Sequence, residues 1–276
     1  MDSSFARAIV TRRNITLGLG AAATSLVVGE LHADPAPDAS SVASKSLRAY
    51  YYGGNDMVAH VSMQVVRSDG ATRSRELSML RRNVGSERQE FLMYFQAPAD
   101  VKDMAYLVHK HPQRDDDRWL YMPSLKLVKR IAARDKHSSF AGSDFTYEDS
   151  VGRDISDESY KFKKEATIAG RNCVVIEASA KEPVSYAKRV AWVDAERWLP
   201  LQEEYYDTRG ELVRTFSAVE VEQIGGVWTI KRSTMKNAKS GQKTLVQMRD
   251  VAYNVGLDGD LFTNDALRAP PRKWLR

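Results

Sequence analysis

The 276-residue chain predicts a mainly antiparallel β fold, a sandwich or barrel of about eleven strands with little helix. Three observations carry this expectation. Apolar and polar residues alternate with period two through most of the chain, turn formers interrupt the runs every ~8–14 residues, and only one stretch shows a helical stripe. The ~240 residues that follow an N-terminal leader suit a single large all-β domain.

The helical stretch runs from Ser40 to Tyr52, with Val42, Leu47 and Tyr50 on one stripe and Gly53-Gly54 as its stop. The period then changes. Met57, Ala59, Val61, Met63 and Val65 alternate with His60, Ser62 and Gln64, which describes a half-buried strand ending at Ser68-Asp69-Gly70. Further strands follow over Glu76–Arg82, Glu90–Gln96, Met104–Lys110, Arg118–Met122 and Lys126–Ile131. In the second half, Tyr160–Ile168 and Cys173–Ser179 flank a turn at Ala169-Gly170-Arg171-Asn172. Val184–Val193 and Leu201–Asp207 flank a second turn ending at Trp198-Leu199-Pro200. Leu212–Gln223 meets Val227–Met235 across Gly225-Gly226, and Thr244–Tyr253 is the last strand.

Several strands are apolar on both faces. Phe91, Met93 and Phe95 alternate with Leu92 and Tyr94, and Trp192 lies between Ala191 and Val193. Two apolar faces need two covers. With few helices available to cover the concave side, a partly unfilled apolar cavity is expected there.

The N-terminus has the order of a cleavable export signal. Arg7, Arg12 and Arg13 precede an uncharged stretch from Ile15 to Val28, and Leu31-His32-Ala33 offers a small residue at a cut site. The stretch is too short to span a bilayer comfortably. Thr11-Arg12-Arg13-Asn14-Ile15-Thr16 is similar to the twin-arginine consensus, with an ordinary Sec signal as the alternative; either leads out of the cytoplasm. The expected organisation is a signal at 1–33 cleaved near Ala33, an extended lead at 34–39, one β domain at 40–267 and a tail at 268–276. Residues 1–33 hold three arginines against two acids, so the formal charge changes only from +5 to +4 on cleavage. That is too small to argue nucleic-acid binding. The single cysteine, Cys173, lies in an apolar run, cannot form an intrachain disulfide and does not follow the cut as a lipid-anchored cysteine would. The mature chain is therefore expected to be soluble and monomeric.

Between Arg118 and Asp154 the sequence reads Arg118-Trp119-Leu120-Tyr121-Met122-Pro123-Ser124-Leu125-Lys126, then Lys129-Arg130-Ile131, then Ser139-Phe140-Ala141-Gly142-Ser143-Asp144-Phe145-Thr146-Tyr147-Glu148-Asp149. This resembles the LolA-like family of outer-membrane lipoprotein-sorting proteins, whose members carry a Trp-hydrophobic-Tyr-hydrophobic-Pro-x-Leu strand, a basic cluster and a Ser-Phe-x-Gly-Ser-Asp-Phe-Ser/Thr-Tyr-Glu-Asp loop. The resemblance extends in looser form from about Ser41 to Leu267. It implies an unclosed antiparallel β-barrel with a few short helices covering the concave face, whose apolar cavity takes an acyl chain or similar lipid. It further implies a soluble periplasmic carrier with no cofactor, working beside inner-membrane transporters of the resistance-nodulation-division (RND) class. An accessory protein of such a transporter, carrying no cargo, is the alternative, and an envelope lipid hydrolase is a third reading.

Three groups of residues become candidates. Met57, Val61, Met63, Phe91, Met93 and Phe95, with Trp119 and Tyr121, are candidate cavity residues, although alternation does not say which face points inward. Phe140, Gly142, Ser143, Asp144, Phe145 and Tyr147 form a motif loop expected at the cavity mouth, held by Ser and Asp turn chemistry and pinned by aromatic rings. Lys126, Lys129, Arg130 and Arg134 form a basic cluster that is either a solvated face or a surface for lipid head groups or an acidic partner. Transient contact with a membrane surface belongs to the second reading.

Catalytic and metal patterns are weak. His109 and His111 share a strand spacing, and Asp115-Asp116-Asp117 lies nearby, but the triple Asp reads as a solvated turn and no metal is expected. Asp144, Glu148 and Asp149 lack calcium-loop spacing. Neither a Gly-x-Ser-x-Gly elbow nor a phosphate-binding glycine loop occurs, so the chain is not expected to be an enzyme.

Overall fold

The computed structural model describes residues 36–112, 114–182, 185–270 and 272–275. The expected export signal and its cleavage point at Ala33 lie outside the described residues, as does Val184.

α1 (Ala39–Tyr51) begins where the Asp38 carboxylate accepts the N–H groups of Ser40 and Ser41, each at 3.2 Å. It ends at Gly53-Gly54. At Gly53 a β-carbon would stand 2.4 Å from Val227 Cγ1, so a larger residue there requires the Val227 side chain to move.

Thirteen strands follow, not about eleven: β1 (Asp56–Val66), β2 (Thr72–Val84), β3 (Arg88–Ala97), β4 (Ala105–Lys110), β5 (Asp117–Met122), β6 (Leu127–Arg130), β7 (Glu158–Ile168), β8 (Arg171–Ala180), β9 (Lys188–Asp194), β10 (Pro200–Tyr206), β11 (Leu212–Ile224), β12 (Val227–Asn237) and β13 (Lys243–Tyr253). All lie in one antiparallel sheet ordered β6-β5-β4-β3-β2-β1-β13-β12-β11-β10-β9-β8-β7. Because β6 and β7 stand at opposite edges, the barrel is unclosed. A short α2 (Asn264–Arg268) follows β13. Each of the thirteen corresponds to a segment delimited in the sequence, the four-residue β6 to Lys126–Ile131, so the difference lies in the count and not in the elements.

Register decides which alternate residues share a face. Ala59, Met79, Met93, Tyr106 and Leu120 form one row across β1 to β5, on the concave side. Val58, Leu80, Leu92, Leu107 and Trp119 form the next row, on the opposite side. That second apolar face is covered by the chain after β13, through Leu257, Phe262, Ala266 and Leu267. The double-sided strands thus have a protein cover outside and a helix and loop inside.

Asp56 ties the outer cover down. Its buried carboxylate accepts the N–H groups of Val255, Gly256 and Leu257 at 2.7, 2.9 and 2.8 Å. Replacing it with alanine leaves three backbone donors short of an anionic acceptor, so Asp56→Ala is expected to cost about 3 kcal/mol in urea unfolding. A loss within experimental error would show that the cover is held by Phe262 and Leu267 alone.

Candidate functional site

The concave face of β1 to β3 supplies the apolar wall of a cavity of about 130 Å³. Met57, Val61 and Met63 come from β1, Leu77 and Met79 from β2, and Phe91 and Met93 from β3. Trp228 and Ile230 of β12, with Val246, Met248 and Tyr253 of β13, form the facing wall. Hydrogen-bonded pairing of β12 with β13 stops at Arg232–Gln247, so the upper halves of these strands have no ladder between them. There the Thr229 and Tyr253 hydroxyls meet at 2.8 Å. Five of the chain's nine methionines line the cavity. Thioether side chains are unbranched and flexible, which makes such a wall adaptable to ligand shape.

Two elements roof the cavity. The C-terminal turn of α1 contributes Tyr50 and Tyr51, and the motif loop contributes Phe140 and Phe145. Phe140 is pinned by Phe95 and Tyr106, each at 5.8 Å between ring centroids, and by Tyr147 at 5.5 Å. Hydrogen bonds fasten the loop to β13, β11 and α1. Thr244 donates its hydroxyl to the Asp144 carboxylate at 2.7 Å and accepts the Asp144 N–H at 2.9 Å. Arg214 donates to the Asp149 carboxylate at 2.5 and 3.2 Å, and the Tyr51 hydroxyl donates to the Asp149 carbonyl at 3.0 Å. The Ser143 hydroxyl accepts the N–H of Phe145, and the residue is buried in its own turn. Gly142 takes a left-handed conformation at φ +76° in open space.

Beside this cavity, between α1 and β7 to β10, lies a smaller polar one of about 80 Å³ bordered by Glu148, Arg153, Glu158, Arg189 and Glu203. Arg189 joins Glu158 at 2.6 Å to Glu203 at 2.5 Å, and the Tyr186 hydroxyl donates to Glu158 at 2.6 Å. Glu148 pairs with Arg153 and with Lys136 at 3.2 Å. Burial pushes the Glu148 carboxyl up, but the His137 imidazole 3.4 Å away and the Arg153 and Lys136 cations hold it well below the ordinary carboxylate value of 4.5. Glu158 is likewise pushed up by burial and held lower on balance by Arg189, Arg153 and Tyr186. A carboxylate depressed in the folded state adds stability that is fully present above the unfolded value and lost as pH falls through the folded one. Thermal stability is therefore expected to drop as pH is lowered from about 4.5, and Glu148→Gln to flatten that dependence. Parallel acid profiles for the two proteins would contradict this.

Met57, Val61, Met63, Phe91 and Met93 meet at the larger cavity. Phe95 shares their face but is spent on packing against Phe140. Trp119 and Tyr121 do not join them: the register with Leu107 and Ala105 places both on the outer face, under the C-terminal cover. Lys126, Lys129 and Arg130 lie on the β5–β6 hairpin at the sheet edge, and Arg134 is exposed beyond it; none borders the cavity. His109 bonds the Phe262 carbonyl and His111 pairs with Asp117, so the two imidazoles have separate partners. Among the described residues no group of three potential ligands is placed to hold a metal ion. Sequence patterns missed Arg214, Thr244, Glu158, Arg189 and Glu203. Each lies 14 to 100 positions from its partner, so no local spacing could announce it.

An open antiparallel half-barrel with an apolar cavity in its concave face, roofed by one helix and one loop, is a LolA-like fold. A family model described only as an uncharacterized protein matches residues 87–269. The chain belongs to that family. A DUF1329 family protein from Desulfovibrio piger is 28% identical with a TM-score of 0.77, covering 83% of this chain and 97% of that one. A domain from Vibrio parahaemolyticus described as an outer membrane lipoprotein-sorting protein is also 28% identical, with a TM-score of 0.78 and coverage of 83% and 98%. A LolA superfamily protein from Nitrosomonas europaea, 21% identical over 83% of this chain and 99% of that one, shares the fold at a TM-score of 0.64. No curated protein matches the chain.

Proposed function

We propose that this protein is exported, loses its leader near Ala33, and works in the periplasm as a carrier that shields an acyl chain or similar apolar moiety on its way to the outer membrane. The methionine-rich cavity under α1 and the motif loop is the observation that supports this reading best. Its present volume holds only a short run of methylenes, so loading a longer chain requires the flexible methionines and the aromatic roof to shift. The 28% identical Vibrio domain, described as lipoprotein-sorting, favours the same direction. No helix of the described residues is long and apolar enough to cross a membrane.

In this reading the motif loop is a cover rather than a reaction centre. Its Ser143 is engaged within its own turn and its carboxylates hold Thr244 and Arg214. A role beside an RND-type transporter is compatible with carriage and supplies a donor or acceptor. Lipid extraction and native mass spectrometry of the purified protein test the carrier reading. A co-purifying or readily loaded lipid is expected; failure to bind across a broad panel of fatty acids and phospholipids leaves the cargo-free accessory role.

A further inference from the structure

We propose that the β5–β6 hairpin is a membrane-docking tip that seats on an anionic bilayer surface. The proposal deepens the carrier reading by naming where the protein meets the lipid phase. Its starting point is an oddity of the surface. Among the described residues only four large apolar side chains are strongly exposed, and two of them, Leu125 at 66% and Leu127 at 47%, stand two positions apart on this one hairpin. Pro123 opens the tip, and Lys126 closes it in the left-handed conformation at φ 48°, its N–H donating to the Pro123 carbonyl at 3.0 Å. A tight turn built this way presents both leucines outward without support from any core cluster.

Cations surround them. Lys126, Lys129 and Arg130 lie on or beside the tip, and Arg134, whose side chain is 90% exposed, follows four residues later. Arg130 is paired with Asp117, while Lys126 and Lys129 enter no ion pair among the described residues. Because β6 is an edge strand, part of this charge is explained as a guard against edge-to-edge pairing. A guard does not explain the leucines. Exposed apolar side chains on a free edge raise the risk that the lysines would be there to lower, so both features together need a partner that accepts both. An anionic bilayer does: its head groups attract the cations, worth about fivefold in binding each, and its interface takes the leucines.

Co-sedimentation with phosphatidylcholine vesicles, with and without phosphatidylglycerol, tests the assignment on the whole mature protein. The protein is expected to bind the phosphatidylglycerol vesicles, more weakly as salt rises. Lys126→Gln/Lys129→Gln should lower that binding by about twentyfold or more. Leu125→Ser/Leu127→Ser should remove the part that survives high salt. Both variants expose no new core and are expected to melt like the unaltered protein. Absence of binding to anionic vesicles, or variants that bind as well as the parent, overturns the proposal and leaves the tip to a protein partner. Uptake of a fluorescent fatty acid in vesicle-free buffer is read in parallel. Variants that lose vesicles but keep uptake support a separate dock, whereas vesicle binding by a protein that takes up no fatty acid upholds the dock and rejects the carrier.

Discussion

Val61→Trp is expected to abolish uptake of a fluorescent fatty acid while leaving the protein folded. Val61 is buried on the concave face of β1 and borders the cavity between Met57 and Met63. An indole at this position projects into the roughly 130 Å³ that a ligand chain would occupy. Excluding about four methylene groups at ~0.8 kcal/mol each lowers affinity on the order of a hundredfold. Overpacking costs about 1–3 kcal/mol of stability, part of which empty space absorbs. The comparison is Val219→Trp, at an exposed position on β11 away from the cavity, which should leave uptake unchanged. Equal uptake by the Val61 variant and its parent would place the ligand elsewhere.

Glu158→Ala is expected to be the most destabilising single change, costing about 3–5 kcal/mol in denaturant unfolding. Its side chain is 1% exposed and accepts from Arg189, Tyr186 and Tyr160 at once. Without it, Arg189 keeps only Glu203, and Arg153 loses the second of its two carboxylate neighbours. The Tyr186 hydroxyl loses its acceptor as well, and the Tyr160 hydroxyl keeps only the Ile155 carbonyl. Glu158→Gln keeps the shape and part of the hydrogen bonding but not the charge, so it should fall between parent and alanine. A loss below about 1 kcal/mol for alanine would mean that water enters the small polar cavity and replaces the carboxylate.

The two variants separate what the sequence discloses from what it hides. Alternation in β1 and β3 groups Met57, Val61 and Met63, and separately Phe91 and Met93, because each strand carries its own period. Relating strands to one another requires register, and Trp119 shows the consequence. It has the same local alternation as a cavity residue, yet pairing with Leu107 turns it to the outer face. The motif loop was legible as a loop through Gly142, Ser143 and Asp144. Its fastening to Thr244, 100 positions away, was not. The ionic layer around Glu158 was hidden for the same reason, since Arg189 and Glu203 meet it only after β7 to β10 have paired.

The most direct test of an apolar ligand in this cavity is quenching of tryptophan fluorescence by a brominated fatty acid. Trp228 borders the cavity, whereas Trp119 lies on the opposite face of the sheet beneath the C-terminal cover. Bromine quenches by contact. Titration is expected to quench a component of the emission that disappears in Trp228→Phe and persists in Trp119→Phe. Saturable quenching that is the same in both variants, or none at all, would contradict a ligand chain held between β1 to β3 and the roof of α1 and the motif loop.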